Sequence, residues 1–298
     1  MEKAIIDFMR QYTDDQDIDN FESIKKYSEE TLDIKIIKGL ISNNYVFSCL
    51  WESTFATACK EGHIELAKII FNWFIKEFPI PLFKFSSNFG GVCKNGKLEV
   101  AQWLLSVKPD INISAYNEDA FCFACSNGHL EVAQWLLSVK PDIDISIYQE
   151  RAFSMACLNG HLEVAQWLLS VKPEIDISVI SEDEFTRVCE NGNLKVAQWL
   201  LSVKPDIDIS VDNEYAFSNA CSNGHLEVAK WLLSVKPDID ISIDEEYIFR
   251  NCCGDGKLEV AKWLLSVKPD IDILAYYNED GSIEDSAFCI ACINGHLE

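Results

Sequence analysis

The chain has 298 residues, 48% hydrophobic and 24% charged, enough to bury a large core, and length alone gives a prior of about two ordinary domains. Its 48 acidic residues against 25 basic ones leave a formal charge of −23, which argues against nucleic acid as the ligand and favours a basic partner. Twelve cysteines are too few for a small disulfide scaffold, no secretory leader opens the sequence, and no apolar run nears the roughly 18 residues of a membrane helix, so a soluble protein of a reducing compartment is expected.

Residues 1-47 follow no period. Ser28-Glu29-Glu30-Thr31 before Leu32, Ile34, Ile36, Ile37, Leu40 and Ile41 reads as a helix behind a serine cap, with further helices expected over 2-12 and 20-27. The segment is expected to form an N-terminal helical cap or degenerate repeats, covering the first face of the array that follows. Its second reading is a docking module.

From about residue 48 to 298 the chain repeats. Trp103, Trp135, Trp167, Trp199, Trp231 and Trp263 are spaced by 32 residues, each seven residues after a glycine (Gly96, Gly128, Gly160, Gly192, Gly224, Gly256). Gly62 and Gly295 mark irregular outer copies, the last preceded by an insertion around 276-282. This makes seven repeats and a truncated eighth. In the repeat from Asn117 to Ser146, Phe121, Ala124 and Cys125 share one face of a short first helix, which Asn127-Gly128 ends. A second helix follows, with Leu130, Val132, Ala133, Leu136, Leu137 and Val139 expected inward and Glu131, Gln134 and Ser138 outward. Pro141 stops it, and the alternation Asp142-Ile143-Asp144-Ile145 predicts a short extended arm.

GHLEVAQWLL followed by DIDIS resembles the ankyrin repeat, over roughly 250 of the 298 residues. The near-identical WLLSVKPDIDIS blocks are similar to the ankyrin proteins of giant amoeba-infecting viruses of the mimivirus type. The resemblance implies an all-α solenoid of stacked helix-turn-helix repeats with short β-hairpin or extended arms, and a non-catalytic scaffold that binds proteins in the groove of first helices and hairpin tips. For a viral member it also implies a place in the host cytoplasm, with a substrate adaptor for a host ubiquitin ligase as the alternative. The family's Thr-Pro-Leu-His is replaced here, as by Asp119-Ala120-Phe121-Cys122, and one residue is missing from the usual 33, so shorter, less regular hairpins are expected.

The residues that invite a chemical reading keep register. His63, His129, His161, His225 and His296 each follow the turn glycine, where Lys97, Asn193 and Lys257 stand in other repeats, so a local role at the second helix's start is expected rather than general-base or metal chemistry. Cys59, Cys93, Cys125, Cys157, Cys189, Cys221, Cys253 and Cys292 lie three residues before the glycine. Stacking at roughly 8–10 Å keeps such mates beyond the roughly 7 Å a disulfide spans, so they read as buried thiols. Cys122/Cys125 and Cys289/Cys292 form CxxC pairs five repeats apart, which does not gather the four ligands of zinc. The sequon at Asn112-Ile113-Ser114 reads as chance, the paired arm aspartates read as solvated side chains rather than a calcium loop, and the common catalytic and nucleotide-binding motifs are missing. No catalytic set, cofactor or metal is nominated, and an enzyme is disfavoured.

Comparing repeats with one another locates the recognition surface. On the second helix the outward positions barely change: Glu131 recurs as Glu99, Glu163, Glu227 and Glu259. On the first helix the positions 9, 6, 5 and 2 residues before the glycine diversify: Asp119, Cys122, Phe123, Ser126; Arg151, Ser154, Met155, Leu158; Asp183, Thr186, Arg187, Glu190; Tyr215, Ser218, Asn219, Ser222; Tyr247, Arg250, Asn251, Gly254. Their spacing makes one helical stripe, and with the loop tips Tyr116, Tyr148, Ile180, Asp212 and Asp244 it is the expected partner-binding surface. The chain stops at Gly295-His296-Leu297-Glu298, where the eighth second helix should begin, so either a fragment or an unsealed apolar end open to self-association is expected.

Overall fold

The computed structural model describes residues 48–77, 85–273 and 287–296; the helices expected in 1-47 and the insertion at 276-282 lie outside the described residues. Regular structure among the described residues is all helical, fifteen α-helices and one 3-10 turn with no strand, as an α-solenoid requires. The chain forms two compact units, one running to Ala124 and including His129–Ile143, the other comprising Cys125–Gly128 and Asp144–Glu298. To the first belong α1 (Ser48–Glu61), α2 (Ile64–Glu77), α3 (Phe85–Lys94), α4 (Leu98–Val107), most of α5 (Ala115–Ser126) and α6 (Leu130–Val139). The second holds α7 (Ile147–Leu158), α8 (Leu162–Val171), α9 (Glu182–Glu190), α10 (Leu194–Val203), α11 (Val211–Ser222), α12 (Leu226–Val235), α13 (Ile243–Gly254), α14 (Leu258–Val267) and α15 (Ala287–Ile293).

Each first helix ends in the same Schellman turn. At Gly160 the glycine N–H donates to the Cys157 carbonyl at 3.1 Å and the His161 N–H to the Ala156 carbonyl at 2.8 Å, with Gly160 at φ +82°. The glycine serves a second purpose that the sequence reading missed. In the second unit a Cβ on Gly192 would lie 2.5 Å from Nδ1 of His225, one repeat further on. His129, His161, His225 and His296 thus pack on the turn of the preceding repeat, and His129, His161 and His225 make no side-chain cap for their own helices.

Repeats are joined in two further ways. Phe153, Phe185 and Phe217, all fully buried, meet the tryptophans of the following repeat, Trp199, Trp231 and Trp263, at 6.2, 6.4 and 6.2 Å between ring centroids. Asparagines before the glycine reach back: Asn159 donates to the Ser126 carbonyl at 2.6 Å and Asn191 to the Leu158 carbonyl at 3.0 Å, satisfying groups that a helix end leaves open. The other core positions are the expected Val, Ala and Leu of the second helix, but Val139 is corrected. It stands 42% exposed in the last turn, as do its register mates Val171, Val203, Val235 and Val267.

The hairpin or extended arms expected are corrected: these segments are successive turns, with no strand among the described residues. Ile143 and Ile145 are buried between exposed aspartates, as the alternation predicts, yet the backbone spends its hydrogen bonds locally. The Ile143 N–H donates to the Lys140 carbonyl at 3.3 Å and the Ser146 N–H to Asp144 Oδ1 at 3.1 Å, leaving no ladder for a hairpin. Asp176, Asp208 and Asp240 accept from Ser178, Ser210 and Ser242 in the same way, so these exposed aspartates close turns as well as carrying solvated charge. The serine's hydrogen bond to Asp176 holds that carboxyl below its usual range.

Candidate functional site

The chain enters four of its first helices, α5, α7, α11 and α13, through residues with positive φ. Tyr116, Asn117 and Glu118 lie at +56°, +60° and +61°, and Tyr148, Gln149 and Glu150 at +52°, +55° and +60°. Such backbone costs roughly 1–2 kcal/mol per residue, so something must hold it. In the second unit Ser146 donates its hydroxyl to Glu150 Oε1 at 2.6 Å while Lys172, 26 residues on, donates to the same serine. The repeat at 242-268 is built alike, with Ser242, Glu246 and Lys268, and Lys236 stands 3.6 Å from Glu214, whose pKa burial raises against the pull of that lysine. Glu118, Glu150 and Glu246 are buried. This clip was missed, although a glutamate ten residues before the glycine in five successive repeats was a visible signal. The repeat with Ser181 departs: a 3-10 turn at Ile177–Val179 leads to a capping box between Ser181 and Glu184, and Lys204 donates to the Ile180 carbonyl at 2.8 Å.

The turns present Tyr116 and Tyr148 at 65% and 59% exposure. Of the other stripe residues, Asp183, Arg187, Tyr215 and Tyr247 are exposed, while Asp119, Phe123, Arg151, Met155, Glu190 and Asn219 are half-buried. Asp212 and Asp244 lie near the starts of α11 and α13. Three assignments are corrected. Leu158 is 4% exposed and packs in the core beside the turn, Arg250 is 5% exposed, and Ile180 is fully buried. The position six residues before the glycine faces inward in most repeats: Cys122, Thr186 and Ser218 are buried there like Arg250, so the stripe is narrower than its spacing predicts.

In the first unit the stripe closes around a cleft of about 250 Å³, where Tyr116, Asp119 and Phe123 of α5 face Ser86 and Gly90 of α3, with Asn112 and Ile113 at one side. Tyr116, Asp119 and Phe123 are thereby brought together as expected of one surface. Lys94 at the end of α3 places its ammonium 5.8 Å from the Phe123 ring centroid.

The cysteine register is buried from Cys59 to Cys221, whereas Cys253 and Cys292 are half-buried, against the expectation of a buried thiol in every repeat. Burial pushes the thiols of Cys59, Cys93, Cys157 and Cys189 up to about 12 and that of Cys253 to about 11. The Cys221 thiol is raised well above its usual range, first by burial and then by its hydrogen bond with Cys252, which sits one position out of register. All cysteines from Cys59 onward are free thiols. Among the described residues no three metal-binding side chains converge, and no helix is long and apolar enough to cross a membrane.

A search of curated proteins returned no match. Among solved structures, the ankyrin repeat domain of human ASB11 is similar, with 17% identity, a TM-score of 0.46, and coverage of 68% of this chain and 90% of that one. The family model "Ankyrin repeats (3 copies)" matches residues 90–180 and 185–276, more than half of the chain. With the Schellman glycine, the paired helices and the 32-residue period that these segments carry, the chain belongs to the ankyrin repeat family.

Proposed function

We propose that the chain is a non-catalytic scaffold that binds a protein partner through its first helices and the turns that precede them. Ankyrin repeats generally mediate protein–protein interactions. The observation that carries the reading is the contrast between two faces: five of the six second helices from α4 to α14 repeat LEVAxWLLSV, with Lys195 replacing the glutamate in α10, while first helices vary and expose Tyr116, Tyr148, Tyr215 and Tyr247. Tyrosine is among the residues that interfaces favour as anchors. A basic partner is supported by the charge of −23 and by the exposed arm aspartates Asp142, Asp206, Asp238 and Asp270, so association should slow as salt rises. The near-identical WLLSVKPDIDIS blocks support placing the chain with ankyrin proteins of giant amoeba-infecting viruses, acting in the host cytoplasm. Self-association is supported by an apolar cavity of about 460 Å³ at the last repeat, bordered by Phe249, Cys252, Leu258, Ala261, Ala287 and Ala291; sedimentation against concentration tests it.

The decisive experiment replaces Arg151, Met155, Arg187 and Tyr215 together. The variant should lose the partner captured by the parent chain while keeping its helicity and melting. Retention of that partner would place the surface elsewhere.

A further inference from the structure

We propose that the cleft of the first unit is a receptor for one arginine side chain of the partner, an inference that rests on the protein-binding reading. Its size decides the class of ligand. About 250 Å³ falls below the roughly 300–1,000 Å³ of small-molecule pockets and suits a single long side chain.

The cleft exists because of one residue. Six residues before the turn glycine, other repeats fill the inward position with Cys122, Thr186, Ser218 or Arg250, all buried. Gly90 holds that register in α3, and a Cβ built on it would meet nothing within 4 Å. Packing therefore does not require the glycine, and a helix interior disfavours it. What the missing side chain provides is the space itself.

The lining selects a planar cation. Tyr116 and Phe123 offer ring surfaces, Asp119 a carboxylate, and Ala120 with Ile113 an apolar bed for an aliphatic stem. A guanidinium can stack on a ring and bind a carboxylate through two parallel N–H groups, which an ammonium cannot. The protein contains its own precedent: Arg250, at the register Gly90 leaves empty, is buried in its repeat. Lys94, exposed and lying over Phe123, shows that the ring accepts a cation and competes with an incoming one.

The test is a titration of the full chain, labelled at alanine methyls, with the blocked peptide Gly-Gly-Arg-Gly-Gly and its lysine and citrulline counterparts, following Ala115 and Ala120. The arginine peptide should give saturable shifts at both methyls, with citrulline weaker by about tenfold or more and lysine between them. Gly90→Leu, whose Cβ meets no atom within 4 Å and whose branched end would fill the space, should abolish the shifts with melting unchanged; Asp119→Asn should weaken binding, and Lys94→Gln should strengthen it. Equal binding of citrulline, or shifts that survive Gly90→Leu, or no saturable shift at all, would overturn the proposal. Since none of the four residues replaced in the partner-capture variant lines the cleft, loss of the partner in that variant would leave the scaffold reading standing even if the arginine peptide failed.

Discussion

Gly192 and Gly224 allow the two demands on the turn glycine to be separated. Both have positive φ, +75° and +84°, so alanine at either carries the left-handed cost of roughly 1–2 kcal/mol. Their neighbours differ. The new methyl at 192 would lie 2.5 Å from Nδ1 and 2.7 Å from Cε1 of His225, whereas at 224 it would meet only the flexible Lys257 side chain at 3.1 Å. The lysine can move aside. The imidazole must leave its place between repeats, adding about 0.5–1.5 kcal/mol for an off-rotamer side chain, plus its lost packing. Urea titrations of the full chain followed by circular dichroism should therefore rank Gly192→Ala below Gly224→Ala by about 1 kcal/mol or more. In a His225→Ala background the Gly192→Ala penalty should fall to that of Gly224→Ala. Equal penalties for the two single variants, or an excess that persists without the imidazole, would refute the assignment of the histidine to inter-repeat packing.

Two other expectations concern the core. Burial raises Cys59, Cys93, Cys157 and Cys189 from the ordinary thiol value of 9.0 to about 12, so the neutral thiol is the folded form's preference. The stability tied to it is complete below pH 9 and is lost as pH rises toward 12, because the unfolded chain releases those protons first. Urea midpoints should fall between pH 9 and 11, and replacing the four cysteines by alanine should flatten that slope. Phe185, fully buried and 6.4 Å from Trp231 of the next repeat, should cost roughly 3–5 kcal/mol as alanine, read from the same titrations.

The architecture was legible because the repeat writes each constraint many times. A glycine seven residues before each of the six tryptophans from Trp103 to Trp263, and prolines after each second helix, could be read without coordinates. What escaped the reading were relations between repeats, since periodicity shows that positions recur and not which one faces which. The contact of His225 with Gly192, of Phe185 with Trp231, and of Lys172 with Ser146 all join side chains that a single repeat considered alone keeps apart. The same limit explains the errors at Arg250 and Leu158: a 3.6-residue stripe fixes a direction on one helix, while the neighbouring helix decides whether that direction is solvent. Val139 failed for another reason, its place in the last helical turn, where the core falls away.

The asparagine rungs and the Phe–Trp pairs share a property beyond stability. Each joins a repeat only to its immediate neighbour, and the Phe–Trp pair uses the same residue types at every step, while Asn223 turns back to the Asn219 carbonyl of its own helix. If residues 193–224 were excised, Gly192 would run directly into His225, Phe153 would find Trp231 in the register Trp199 now holds, and His225 would meet Gly160 in place of Asn193. In-frame loss or gain of 32 residues thus leaves every junction chemically familiar. Heritable change in such a gene can proceed by counting repeats, adding or deleting a stretch of binding face without first having to invent a new way to hold it.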